Sequence, residues 1–160
     1  MRKRWLLHLL IGLLLSGALA QCQQLTIETQ GGKKTVLAKS DIESLPHLKV
    51  TTHDSEKPVT FEGIALMAVL ERAGVEFGHS MRGKRLASCL LVEAADGYRV
   101  VIALPEIDSD FNNKQVVLAF LKDGQPLDAK EGPYRIVIPD EKRMARWVKQ
   151  VTTLKIANVQ

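Results

Sequence analysis

Apolar and polar side chains alternate over several short stretches, the spacing of strands that bury one face. Leu25 and Ile27 alternate with Thr26 and Glu28, Gly31-Gly32 follows, and Thr35-Val36-Leu37 resumes the pattern. This predicts a hairpin with glycines at its turn. Ser40-Asp41-Ile42-Glu43 has the layout of a capping box, so about one turn of helix is expected there, stopped by Pro46. His47 to Thr52 returns to an extended pattern with Leu48 and Val50 on one face, and Pro58-Val59-Thr60-Phe61 is a further short strand. Gly63 then opens an apolar run, Ile64 to Ala73, closed by Gly74. Its helix formers and terminal glycine predict a buried helix.

Two longer apolar runs, Leu86 to Ala94 and Tyr98 to Leu104, flank Asp96-Gly97. They predict the strongest hairpin of the chain, central and covered on both faces. Gln115 to Leu121 ends at Asp123-Gly124, Tyr134 to Ile138 ends at Pro139, and Trp147 to Ile156 is a last extended segment. Strands dominate, and the regular βαβ alternation of a parallel sheet is missing. The expected class is α+β, with mixed, mostly antiparallel sheets and one main buried helix.

The first twenty residues follow a different pattern. Arg2, Lys3 and Arg4 precede an apolar run from Trp5 to Leu15, and Ala18-Leu19-Ala20 closes it with small residues. This is the layout of a cleavable secretory signal peptide, too short to span a bilayer, which needs about 20 residues. Residues 1–20 are therefore read as a signal and 21–160 as a single domain, periplasmic or secreted and not held in a membrane after cleavage. Gln21 stands where a lipobox needs a small residue before Cys22, so simple cleavage after Ala20 is expected. Three of the 22 basic residues and none of the 18 acidic ones lie in the signal, which leaves a net charge of +1 on the rest. The basic balance of the whole chain thus belongs largely to export, and no nucleic-acid partner is expected.

The second half of the chain carries several motifs in order. Val117-Leu118-Ala119-Phe120-Leu121-Lys122-Asp123-Gly124-Gln125-Pro126-Leu127 is followed by Glu131-Gly132-Pro133-Tyr134-Arg135-Ile136-Val137-Ile138-Pro139 and by Arg146-Trp147-Val148-Lys149-Gln150-Val151. Upstream stand Phe61-Glu62-Gly63-Ile64-Ala65-Leu66 and Asp96-Gly97-Tyr98. The set resembles the oxidoreductase molybdopterin-binding domain family, of sulfite-oxidase type, over about residues 56–156. The resemblance implies that fold and an anionic pterin cofactor. It also implies that Arg146-Trp147, in place of a Lys-Trp pair, and Arg135 belong to the cofactor's surroundings. With Arg143 they are expected to form one anion-binding, concave site, with guanidinium forks meeting phosphate or carboxylate. Lys142, Arg143, Arg146 and Lys149 cluster after Pro139; a solvated basic face is the plainer alternative for them, and a core position for Trp147.

Two departures alter what the resemblance implies. Glu131 stands where the family has a histidine, which places a negative group near an anionic ligand. The family's molybdenum-binding cysteine would fall about a dozen residues before Gly63, where this chain has Val50-Thr51-Thr52-His53-Asp54. A hydroxyl does not replace a soft thiolate. Molybdopterin is thus the cofactor implied by family, yet none is expected to be bound. The expected function is that of an exported, noncatalytic binding or accessory module whose partner is a small anionic ligand or a protein. The alternative is a periplasmic molybdopterin-dependent oxidoreductase or its subunit.

The remaining candidates have structural explanations beside the chemical ones. Cys89, among Leu86, Leu90 and Leu91, is expected to be a buried thiol, with a Cys22–Cys89 disulfide as the alternative. Asp108-Ser109-Asp110-Phe111-Asn112-Asn113 opens like a calcium loop but lacks its glycine and glutamate, so an Asx-bonded turn is expected. His47, His53 and His79 show no metal-ligand spacing.

Overall fold

The computed structural model describes residues 23–54, 57–139 and 141–158. The signal segment and Cys22 lie outside them. Two sheets enclose one apolar core. Sheet A has the order β2 (Lys34–Ala38), β1 (Gln24–Glu28), β10 (Val151–Asn158), β5 (Ser88–Ala94), β6 (Arg99–Ala103). Sheet B has the order β3 (His47–Asp54), β4 (Lys57–Ala65), β7 (Val117–Lys122), β8 (Gln125–Pro126), with β9 (Arg135–Val137) also paired to β7. Among the described residues only the β1–β10 pair is parallel. The α+β class with mixed, mostly antiparallel sheets is therefore the observed one.

Alternation builds the core as expected. Leu25 and Ile27 of β1, Leu90 and Val92 of β5, and Leu154 and Ile156 of β10 point inward, against Phe61, Ile64, Leu118 and Ile136 of sheet B. Three short helices fill the edges: α1 (Lys39–Glu43), α2 (Leu66–Arg72) and α3 (Leu104–Ile107). No helix among the described residues is long and apolar enough to cross a membrane.

Three expectations need correction. The main helix starts at Leu66, not at Gly63, because Gly63, Ile64 and Ala65 pair with Ala119, Leu118 and Val117 of β7. Gly63 serves close strand approach: a Cβ there would stand 2.6 Å from the Ala119 Cα. The α1 cap is made by Asp41, whose Oδ2 accepts from the Ala38 amide at 2.9 Å, and Ser40 lies inside the helix. The β5–β6 hairpin is not covered on both faces. β6 is an edge strand with Val101 54% exposed, because its outer face has no layer above it.

Candidate functional site

The residues singled out in the sequence fall into two charge clusters. The first centres on Arg135. The Asp128 side chain accepts from the amides of Lys130 (2.8 Å) and Glu131 (3.0 Å) and so turns the chain into the 131–138 segment. The Gln150 amide donates to the Glu131 carbonyl, that of Val151 to the Tyr134 carbonyl, and that of Ile136 to the Val148 carbonyl. These bonds set Arg135 and Glu131 four residues apart on one buried side. Asp54, at the end of β3, reaches the same place from the other side of sheet B.

Arg135 is 2% exposed. Its Nη1 donates to Glu131 Oε1 at 2.8 Å and to Asp54 Oδ2 at 3.2 Å. Lys122 Nζ donates to the same Asp54 oxygen at 2.8 Å and lies 3.5 Å from Glu131 Oε2. Lys149 Nζ completes the group, 3.1 Å from Glu131 Oε1. The guanidinium also faces two rings, 5.1 Å from the centroid of Phe61 and 5.5 Å from that of Trp147. These rings meet edge to face at 6.0 Å. Both distances to the guanidinium are within the range of a cation–π attraction. Trp147 is buried, and its Nε1 donates to the Ile138 carbonyl at 3.0 Å. Arg135 Nε is buried without an acceptor among the described residues.

The titrations follow from this packing. Burial alone would raise the Asp54 carboxyl, but hydrogen bonds from Lys122 and Arg135 outweigh it and hold the carboxyl below the ordinary range. The bond to Asp54 raises Lys122 against the opposing effect of burial. Tyr134, whose hydroxyl is buried with no hydrogen-bond partner among the described residues, is pushed up to about 12 by burial.

The second cluster holds Arg146. Its Nε donates to Glu141 Oε1 at 2.8 Å, Nη2 also contacts that oxygen, and Nη2 donates to Glu106 Oε2 at 3.2 Å. Lys114 lies 3.2 Å from the same Glu106 oxygen. Burial opposes ionisation of Glu106, yet bonds from Arg146 and Lys114 bring its carboxyl below the ordinary range. Arg146 and Arg143 line a shallow dish with Glu141, Lys142 and Ala145. Arg135 is not on that dish, so the three guanidiniums do not share one concavity. Trp147 joins Arg135 in the core instead.

Asp54, Phe61 and Lys122 are the members that sequence reasoning missed, while Lys149, singled out with the basic residues after Pro139, stands at Glu131. Asp54 is 81 residues from Arg135, and only the β3–β4–β7–β9 pairing brings them together. The Asp108 loop matches its expected turn: Asp108 Oδ1 accepts from the Asp110 amide at 2.9 Å and Oδ2 from that of Gly78 at 2.8 Å.

The profile of the oxidoreductase molybdopterin binding domain matches residues 20–160. The chain belongs to that family. Among solved structures the chain is similar to the sulfane dehydrogenase SoxCD from Paracoccus pantotrophus, with a TM-score of 0.66 at 20% identity. The match covers 85% of this chain and 38% of that one, so this chain spans well under half its length. None of the curated proteins matches.

The residues at hand do not fit the family's metal group. Where the thiolate is expected, β3 offers Thr51, Thr52, His53 and Asp54. Thr52 Oγ1 donates to the Pro139 carbonyl at 3.2 Å, and Asp54 is engaged by Lys122 and Arg135. Cys89 belongs to the other sheet. Among the described residues no three His, Cys, Asp or Glu side chains stand together as metal ligands. The cationic groups that would meet an anionic cofactor, Arg135 and Arg146, each already hold two carboxylates.

Proposed function

We propose that this chain is an exported, noncatalytic member of the molybdopterin-binding domain family, acting as a binding or accessory module outside the cytoplasm. One observation carries this. At the position of the metal thiolate the strand has polar residues whose side chains are bonded within the protein, and Asp54 neutralises the arginine beside it. Export rests on the signal layout of residues 1–20. Intact-mass analysis of protein recovered from the periplasm or medium should give a chain beginning at Gln21, and an unprocessed chain in the cytoplasm would refute export.

The test of the main proposal is elemental and pterin analysis of protein purified from a molybdenum-replete host. Molybdenum well below one per chain and no pterin fluorescence after denaturation are expected. Stoichiometric molybdenum or pterin would refute it.

One feature favours the second reading, a cofactor-holding oxidoreductase or its subunit: Arg135 Nε has no acceptor among the described residues. That reading predicts a released pterin and electron transfer to a dye. The partner of the noncatalytic module is a small anion or a protein, and the exposed Lys142 and Arg143 beside the Arg146 dish are the charges available to it.

A further inference from the structure

The Arg135 cluster joins three cations, Lys122, Arg135 and Lys149, to two carboxylates, Asp54 and Glu131. A buried guanidinium without a counterion is strongly unfavourable, so something anionic must stand beside it. Here the protein supplies it twice, from two elements far apart in sequence. Both carboxylates meet the same Nη1 and leave Nε bare. They therefore do not form the two-pronged fork that an arginine makes with a single carboxylate. Their placement is that of two separate oxygens gathered around a cationic corner, which is how the oxygens of one larger anion would be spread.

We propose that Asp54 and Glu131 are a built-in plug: they hold the cationic corner of Arg135, Lys122 and Lys149 in place of an external anion and keep it closed to one. This deepens the noncatalytic assignment and rests on it. It turns the corner into a latent site that opens when a plug carboxylate is lost. Neutralising either carboxylate leaves three cations facing one, with net charge rising from +1 to +2, and a multivalent oxyanion then becomes the better counterion.

The test is thermal melting of the wild type, Glu131→Gln and Asp54→Asn, titrated with pyrophosphate and compared with sodium chloride at matched ionic strength. The wild type should gain nothing from pyrophosphate at the Arg135 corner, so any response beyond that to chloride, such as binding at the Arg146 dish, should be the same in Lys122→Gln. Each variant should melt roughly 5 °C or more lower in chloride. Each should then regain stability in pyrophosphate, with an apparent affinity at least about tenfold above that of the wild type. Adding Lys122→Gln to Glu131→Gln should remove the gain. If a variant does not fold from dilute buffer, its refolding yield is read with and without pyrophosphate. Recovery supports the plug, and equal yields refute it. Variants that titrate like an insensitive wild type overturn the plug alone. A wild type that binds pyrophosphate specifically and also carries pterin overturns both the plug and the noncatalytic assignment.

Discussion

Arg135 shows how much one side chain can organise. Removing it strips Asp54 and Glu131 of their shared buried partner, and an unpaired buried charge costs about 3–5 kcal/mol. Arg135→Ala should lower unfolding stability by that order in urea titration. A loss below about 1 kcal/mol would mean that the lysines alone satisfy both carboxylates. Trp147→Ala should cost a similar amount, about 3–5 kcal/mol, chiefly through the cavity it leaves, since the Ile138 carbonyl keeps its bond from the Glu141 amide. Asp54 also sets an acid limit. Its folded carboxyl titrates below the ordinary value of 3.8, so its contribution is full above 3.8 and is lost as pH falls through the lower folded value. Asp54→Asn should flatten the stability profile in that window, and an unchanged slope would count against the ion pair.

His47 sets a limit at the opposite end. Its Nδ1 faces Glu62 Oε1 at 3.1 Å and its Nε2 the Glu43 carbonyl at 3.0 Å, so both nitrogens face acceptors and only the protonated ring satisfies both. The bond to Glu62, then that to Glu43, raises its pKa above 6.5. The stabilisation is therefore present below 6.5 and lost as pH rises through the folded value. Denaturant midpoints measured from pH 6 to 9 should fall in the wild type and stay flatter in His47→Gln. Equal slopes would show that the contact is idle.

At the scale of elements, the strands are legible because alternation is local information. β1, β2, β3 and β5 fall where Leu25, Leu37, Val50 and Leu90 place them. The start of α2 is not legible, because Ile64 and Ala65 are apolar in either state and only pairing with β7 makes them strand. α3 was missed, since its four residues carry no helical period, and so was the exposure of β6, since an apolar run does not reveal whether a second layer exists. Gly63 marks the same boundary physically. Gly63→Ala should push β4 from β7 and cost about 1–3 kcal/mol, as overpacked cores do. Amide exchange should quicken first in that pair, and a neutral substitution would mean that the strands yield easily. In the cluster, Arg135 was legible from its motif and Glu131 from its departure. Asp54 and Lys122 were not, because no sequence spacing encodes a contact across three strand pairings.

At the scale of the molecule, the registers of sheet A place Cys89 far from the start of β1. Thr26 lies level with Thr153 and Thr153 with Glu93, while Cys89 pairs with Ala157. Gln24 and Cys89 are thus at opposite ends of the sheet, about 20 Å apart by strand rise and spacing. Cys22, and with it the alternative of a Cys22–Cys89 disulfide, lies outside the described residues. Thiol counting on denatured, unreduced protein should find Cys89 reactive, and a blocked Cys89 would contradict its reading as a free thiol.

The parallel pairing of β1 with β10 has a consequence in time. β10 stands in the middle of sheet A, bonded to β1 on one side and β5 on the other. Yet it follows every other strand in the chain. A polypeptide emerging from a ribosome therefore lacks the central rib of this sheet until residues 151–158 are free. Until then β1–β2 and β5–β6 are two separate hairpins, each marginal alone. Sheet A can therefore close only in a late step, after β10 is free. A chain stopped at residue 148 should remain open to protease, and addition of the 149–158 segment should confer resistance.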